Sequence, residues 1–288
     1  MTSRIQYNNP KANQALGLPY HLEMLSDARR VTPFKQAISA TCEGKRVLES
    51  GTGSGIMSIL AARAGAQKVY AVEIDPAIAQ FARENIKRAG LDAVITLIQA
   101  DVKSIGLEDI GHAPVDVVIA ENLSTWAVTE PQIQVMNHVV QNLLRTDGIA
   151  LPSLIFNCLE LARSRYEFED AITLRTHYFG FTGIPKPEVL SPAALFEEID
   201  LTASNAEKVN KTVQIRATAD GIVNSVRLTS PLKIHEEITF TASDSLMPPV
   251  VFPFEEDILV SIGDMIEVHI EYDRNTSWET FRCAARKV

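Results

Sequence analysis

The chain is poor in the residue types that announce metal or redox chemistry. Its three cysteines, Cys42, Cys158 and Cys283, stand far apart, with no C-x-x-C pair. Isolated cysteines suit a reducing compartment and act most simply as small core residues. The six histidines show no ligand spacing, so no metal site is expected. No apolar run approaches the roughly 20 residues that a membrane helix needs, and Met1–Pro10 lacks the apolar core of a signal peptide. These absences predict a cytoplasmic protein without a membrane partner. Positive charge is scarce as well. The net charge is −9, and positions 151–288, with 21 acids against 13 bases, carry −8 of it. Such a surface disfavours nucleic acid and attracts a cation, although solubility alone would account for it equally well.

What is present is ordinary in bulk and specific in pattern. A hydrophobic content of 46% and a charged content of 22% fit a globular chain, and 288 residues suffice for one large domain or two modest ones. The organising stretch is Val47-Leu48-Glu49-Ser50-Gly51-Thr52-Gly53-Ser54-Gly55, read as a buried strand, a glycine turn and a helix beginning near Ser54. Gly51, Gly53 and Gly55 let the backbone turn sharply and approach a ligand closely. After one helix, Lys68–Asp75 supplies a second apolar strand ending in acids, and Glu73 lies eighteen positions beyond Gly55. An acid at the end of the second strand is where a ribose diol is held. Glu49, just before the turn, would repel a pyrophosphate but suits the cationic amino-acid end of S-adenosylmethionine. Leu97–Val102 places Asp101, with Val102 beside it, where an adenine amino group can be read. Residues 46–102 are thus read as an S-adenosylmethionine site.

The chain in order supports a two-part layout. Residues 1–19, broken by Pro10, Gly17 and Pro19, read as a polar arm. Two short helices are expected over 20–31 and 33–38, with Thr32 capping the second and Pro33 at its first position. From Arg46 to Leu151 short apolar runs alternate with helical stretches, the signature of a parallel sheet. Beyond Pro152 short β-branched runs recur between turn residues, predicting an antiparallel barrel or sandwich. The expected fold class is therefore α/β: an arm and helix over 1–35, a Rossmann-like donor domain over 36–151, and a β-barrel-like acceptor domain over 152–288.

Strand four, Asp116–Ala120, delivers Glu121 to the crevice where open α/β sheets bind ligands, and Glu130 follows nine positions later. Two readings are open: the pair holds a cation, or Glu130 merely favours the N-terminus of the helix at Pro131. Arg30 is open in the same way, between the donor's carboxylate and a solvated helix face. Over about residues 20–152 the chain resembles the protein arginine methyltransferases. The motifs are His21-x-Glu23-Met24-Leu25-x-Asp27-x-x-Arg30, the Val47–Gly55 turn, Ala64-Gly65-Ala66-x-Lys68-Val69 with Glu73, the two-glutamate loop, and Asp147–Pro152. The resemblance implies Arg30 on the donor carboxylate, Glu73 on its ribose, and Glu121 with Glu130 as catalytic clamp on the acceptor guanidinium. Met24, Gly51, Gly53, Gly55, Glu49, Asp101, Val102 and Glu121 complete the expected S-adenosylmethionine site.

Departures from that pattern bear on the acceptor. Lys11–Leu16 has no tyrosine where the family has a tyrosine-rich motif. Leu246–Val250 stands where the family has its Thr-His-Trp loop, and Thr276-Ser277-Trp278, which looks similar, lies too near the C-terminus and lacks the histidine. Phe181–Pro192 is too short for the family's helical dimerisation arm, and the oligomeric state stays open. The expected activity is methyl transfer to a guanidinium or other cationic nitrogen, on a protein or a small molecule. The rivals are a small-molecule N- or O-methyltransferase and a non-catalytic protein that binds S-adenosylmethionine.

Overall fold

The computed structural model describes residues 17–288; most of the arm expected over 1–19 lies outside the described residues. Two helices come first, α1 (Leu18–Ser26) and α2 (Ala28–Thr41). The second helix starts earlier than the sequence suggested. Asp27, not Thr32, is its N-cap, accepting from the backbone N–H groups of Arg29 and Arg30, and Pro33 lies inside it. Pro33 falls at the sixth helical position, near enough to the N-terminus that little of the intrahelical ladder is lost.

Next comes the alternation read from sequence: β1 (Arg46–Ser50), α3 (Ile56–Arg63), β2 (Lys68–Glu73), α4 (Pro76–Arg88), β3 (Ile95–Gln99), β4 (Val115–Ala120), α5 (Gln132–Asn142) and β5 (Leu144–Leu151). The five strands are parallel in the order β3-β2-β1-β4-β5. Crossovers leave β1 in opposite directions, so the crevice between the carboxyl ends of β1 and β4 is the sheet's switch point. Strand β4 is almost wholly apolar and buried, as helices on both faces require. No helix among the described residues is long and apolar enough to cross a membrane.

The remainder is antiparallel: β6 (Leu154–Arg163), β7 (Glu167–Phe168), β8 (Ile172–Thr173), β9 (Tyr178–Phe179), β10 (Glu188–Val189), β11 (Ala194–Asp200), β12 (Lys208–Arg216), β13 (Gly221–Thr229), β14 (Leu232–His235), β15 (Ile238–Phe240), β16 (Val250–Val260), β17 (Met265–Asp273) and β18 (Arg282–Lys287). A curled sheet built around β6, β13 and β16 and a three-stranded sheet β12-β17-β18 make a half-barrel. Its core includes Phe196, Val226, Val268, Tyr272 and Phe281, and also Trp126 from the loop after β4. The core of the parallel sheet in turn takes in Ile155, Ile199, Leu232 and Met247 from the antiparallel part. Each layer thus buries residues of the other.

Candidate functional site

A cavity of about 740 Å³ opens over the carboxyl ends of the parallel strands and runs under the half-barrel. Gly51 and Gly53 form part of its floor at positive φ. A Cβ on Gly51 would stand 2.5 Å from Nδ2 of Asn122, and one on Gly53 would stand 2.7 Å from the His21 ring. A side chain at either position would displace Asn122 or His21 and would be strained by the positive φ. Gly55 is not in the wall; its left-handed conformation starts α3, two residues later than the helix expected from Ser54. Glu73 accepts from the Gly53 N–H at 2.9 Å and from the Asp75 N–H at 3.0 Å, which holds its carboxylate against the turn. Buried Glu49 accepts from the Thr52 and Ser58 hydroxyls and from the Ser58 N–H at 2.9 Å. Burial nevertheless pushes its carboxyl up to about 7, the hydroxyl bonds only partly offsetting the lost hydration. Asp101 caps the short turn Val102–Ser104 and pairs with Lys103 at 3.5 Å, while Val102 packs apolar surface beside it.

Helix α1 supplies Met24, and α2 supplies Arg30, which is 5% exposed. The Arg30 guanidinium donates to the Met24 carbonyl at 3.1 Å and forms an ion pair with Glu121, while its Nε is buried without a partner. Glu121 leaves the end of β4, and Glu130 returns to the same cavity from the far end of the loop. Ser124 sets the return: its hydroxyl accepts from the N–H groups of Thr129 at 3.0 Å and Glu130 at 3.1 Å. Glu130 is half-buried and has no ion pair among the described residues. Desolvation, then the charge of Glu121, pushes its carboxyl up to about 8, with Arg30 pulling the other way. Arg30 therefore pairs with Glu121 alone, and one more positive charge would be stabilised beside Glu130.

The residues named from the sequence thus converge on one cavity, Gly55 excepted. On the half-barrel wall, sequence reasoning missed Phe179 and Ser245 and named segments 246–250 and 276–278 only as departures from the family pattern. Phe179, Ser245, Met247, Pro248, Thr276, Ser277 and Trp278 line the cavity from the half-barrel. Thr276–Trp278 gets there through two backbone bonds to the glutamate loop, Asn275 N–H to Ala127 C=O at 3.3 Å and Thr276 N–H to Val128 C=O at 2.8 Å. Its distance along the chain, one reason to discount it, is closed by the fold, while the missing histidine remains. The Ser245 hydroxyl donates to Asp27 at 2.5 Å, which ties the segment before Leu246 to the start of α2. No sequence spacing could show either join, because both span more than a hundred residues. The stretch 181–192 forms no helix.

The family model of the ribosomal protein L11 methyltransferases (PrmA) matches residues 35–157. An uncharacterized protein of Methanocaldococcus jannaschii is 27% identical over 265 residues, covering 91% of this chain and 95% of that protein. An arginine N(omega)-methyltransferase of Streptomyces achromogenes subsp. streptozoticus is 30% identical over 239 residues, covering 77% of this chain and 66% of that enzyme. Among solved structures, the Trypanosoma brucei PRMT1 enzyme-prozyme heterotetrameric complex with AdoHcy superposes with a TM-score of 0.74 at 18% identity, covering 93% of this chain and 96% of the matched chain. That likeness shows the fold: a parallel α/β sheet followed by a half-barrel.

Proposed function

The chain is a divergent member of the protein arginine methyltransferase-like, S-adenosylmethionine-dependent enzymes, and from that premise we propose that it methylates an arginine guanidinium held between Glu121 and Glu130. The observation that carries this reading is two carboxyls on one cavity, of which Glu121 is met by Arg30 while Glu130 has no ion pair among the described residues. In this layout 36–151 is the donor domain, 152–288 the acceptor domain, and 1–35 an arm and helix.

The chemistry of the cradle fits the donor. Two glycines keep the floor free of side chains, and the buried Nε of Arg30 lacks a partner that a carboxylate would supply. Glu73 would accept from the ribose hydroxyls, Asp101 from the adenine amino group, with Val102 against the ring and Met24 above the turn. Glu49 would face the donor's ammonium group. When bound, S-adenosylmethionine supplies a methyl on a sulfonium, an electrophile that needs no acid from the protein. The enzyme's part is then proximity and alignment. A guanidinium with a pKa above roughly 12 is not deprotonated in water. Two carboxylates orient it instead, concentrate its positive charge on the nitrogens they contact and leave the third nitrogen's lone pair available; once methylated, that nitrogen gives up its proton, so the product keeps a single charge.

Relatives of the chain include an arginine N(omega)-methyltransferase and protein arginine N-methyltransferases, so free and protein-borne arginine share the chemistry proposed. The test is labelled donor with fractionated protein and small-molecule acceptors. Glu121→Gln and Glu130→Gln should each lower transfer by about 100-fold or more, the scale of breaking one member of a buried charge pair, with donor affinity nearly unchanged in Glu130→Gln. Near-normal turnover in Glu130→Gln would leave that residue as a helix-terminal acid and remove the clamp. Transfer to hydroxyl compounds alone, with one glutamate dispensable, would favour a small-molecule O-methyltransferase with a single base.

A further inference from the structure

The β4 ladder ends at Ala120, so the backbone beyond it must find its hydrogen-bond partners elsewhere. The Asn122 N–H donates to Oε1 of Gln132 at 2.9 Å. Gln132 is the first residue of α5, is fully buried, and stands behind the cavity wall rather than in it. Asn122 is held on two further sides. Its Oδ1 accepts from the hydroxyl of buried Ser50 at 2.9 Å, and its Nδ2 lies against Gly51. The residue after Glu121 is thus fixed to the end of β1 and, at the same time, to a side chain two residues beyond Glu130.

Stability does not account for this amide. Its Oε1 makes one neutral bond, while its Nε2 is buried without a partner. A buried donor left dry costs about as much as such a bond returns. Nor does the amide serve the start of α5, which has no side-chain cap. What the bond does is close the loop. It lies outside the closure made by Ser124, whose hydroxyl accepts from the N–H groups of Thr129 and Glu130. Glu121 adjoins the outer closure and Glu130 the inner one, so the two together set one carboxyl against the other.

We propose that Gln132 is a positioning residue of the clamp: through Asn122 it fixes where Glu121 and Glu130 stand relative to each other, touching neither acceptor nor donor. This rests on the cation-acceptor reading above. Gln132→Met keeps the length and burial of the side chain and removes the oxygen; Gln132→Glu returns an oxygen at the same reach. The acceptor probe is Nα-acetyl-L-arginine amide. In Gln132→Met, amide hydrogen exchange in peptides covering 121–130 should quicken about tenfold. Its kcat for the probe should fall about tenfold or more, as expected when reacting groups are slightly misplaced, with KM changing less. S-adenosylmethionine affinity, measured by calorimetry, and the thermal midpoint should stay near those of the wild type. A purely structural role predicts the reverse, a lowered midpoint with kcat of the folded enzyme unchanged. Gln132→Glu should recover the slow exchange and most of kcat. Unchanged exchange in Gln132→Met overturns the proposal at the level of geometry, and unchanged kcat overturns it at the level of function. A loss of kcat that Gln132→Glu does not recover assigns the effect to packing and overturns it too. In each of these cases the clamp stands. A wild-type enzyme that methylates only hydroxyl acceptors overturns the clamp reading itself, and the positioning role with it, whatever the exchange rates show.

Discussion

Glu130 and Glu73 are both carboxylates on one cavity, and their surroundings give them different tasks. Glu73 is fixed by two backbone N–H groups at the turn, which orients its carboxylate to accept from hydroxyls on the cavity side. Glu73→Ala should weaken S-adenosylmethionine binding by about 1.5–3 kcal/mol, the worth of hydrogen bonds to a charged group. Calorimetry showing unchanged affinity would sink the ribose assignment. Glu130, with no ion pair among the described residues and a carboxyl pushed up to about 8, is largely protonated at pH 7 before the acceptor arrives. Arg30 and Glu121 already neutralise each other, so an arriving guanidinium draws Glu130 into its charged form. Binding of an arginine-amide probe at pH 7 should therefore release most of one proton, and the release should fade above pH 8, where Glu130 is already ionised. Isothermal titration in buffers of different ionisation enthalpy measures this directly. Glu130→Gln should lose it; a Gln variant that still releases the proton would move the titrating group elsewhere. The folded-state consequence has the opposite sense from that of a salt-bridged acid. A carboxyl raised from about 4.5 to about 8 costs stability as pH climbs through that window.

The loop between the glutamates is where reading by sequence stops. The glycine turn, the acids at the strand ends and the parallel alternation were legible, because each depends on residues close in the chain. Helix α2 was less so: Pro33 suggested a start, but Asp27, five residues before Thr32, is the cap, and Ser245 fixes that cap from the other half of the chain. The loop's conformation was not legible at all. Trp126 and Ala127 take positive φ, 59° and 53°, a costly choice for side-chain-bearing residues. The indole repays it by burial among Phe196, Tyr272 and Phe281. The backbone of Trp126 is held at both ends, its N–H by the Ser230 hydroxyl at 2.8 Å and its C=O by the Tyr272 hydroxyl at 2.8 Å. Tyr272 thereby positions the loop without touching the acceptor. Tyr272→Phe should cost about 1–2 kcal/mol of stability and lower turnover while leaving donor affinity intact. Denaturant titration and steady-state kinetics separate these effects. If turnover is unchanged at a measurable loss of stability, the hydroxyl serves folding alone.

Across the whole molecule the charge is as unevenly placed as the chemistry. The antiparallel half holds nearly all of the −9 net charge, and that half also forms the wall opposite the glutamates. Among the described residues, the Lys and Arg side chains on the cavity wall are Arg30, paired with Glu121, and Lys103, paired with Asp101. A cationic acceptor thus approaches a surface whose field favours it over a wide area. The screening length shrinks from about 10 Å at 0.1 M salt to about 3 Å at 1 M, so this contribution can be removed without touching a residue. Two acceptors with the same arginine separate the field from the clamp: an arginine amide of single charge and a short peptide with two flanking lysines. The peptide's kcat/KM should exceed the amide's at low salt and fall several-fold as salt rises, while the amide changes little, because its one charge is met by Glu130 at contact. Surface substitution gives the converse. Replacing exposed Glu255 and Glu256 by Gln should reduce the peptide's advantage and leave the amide's kinetics as they were. Equal salt dependence for the two acceptors would mean that the acidic face keeps the protein soluble and takes no part in choosing its substrate.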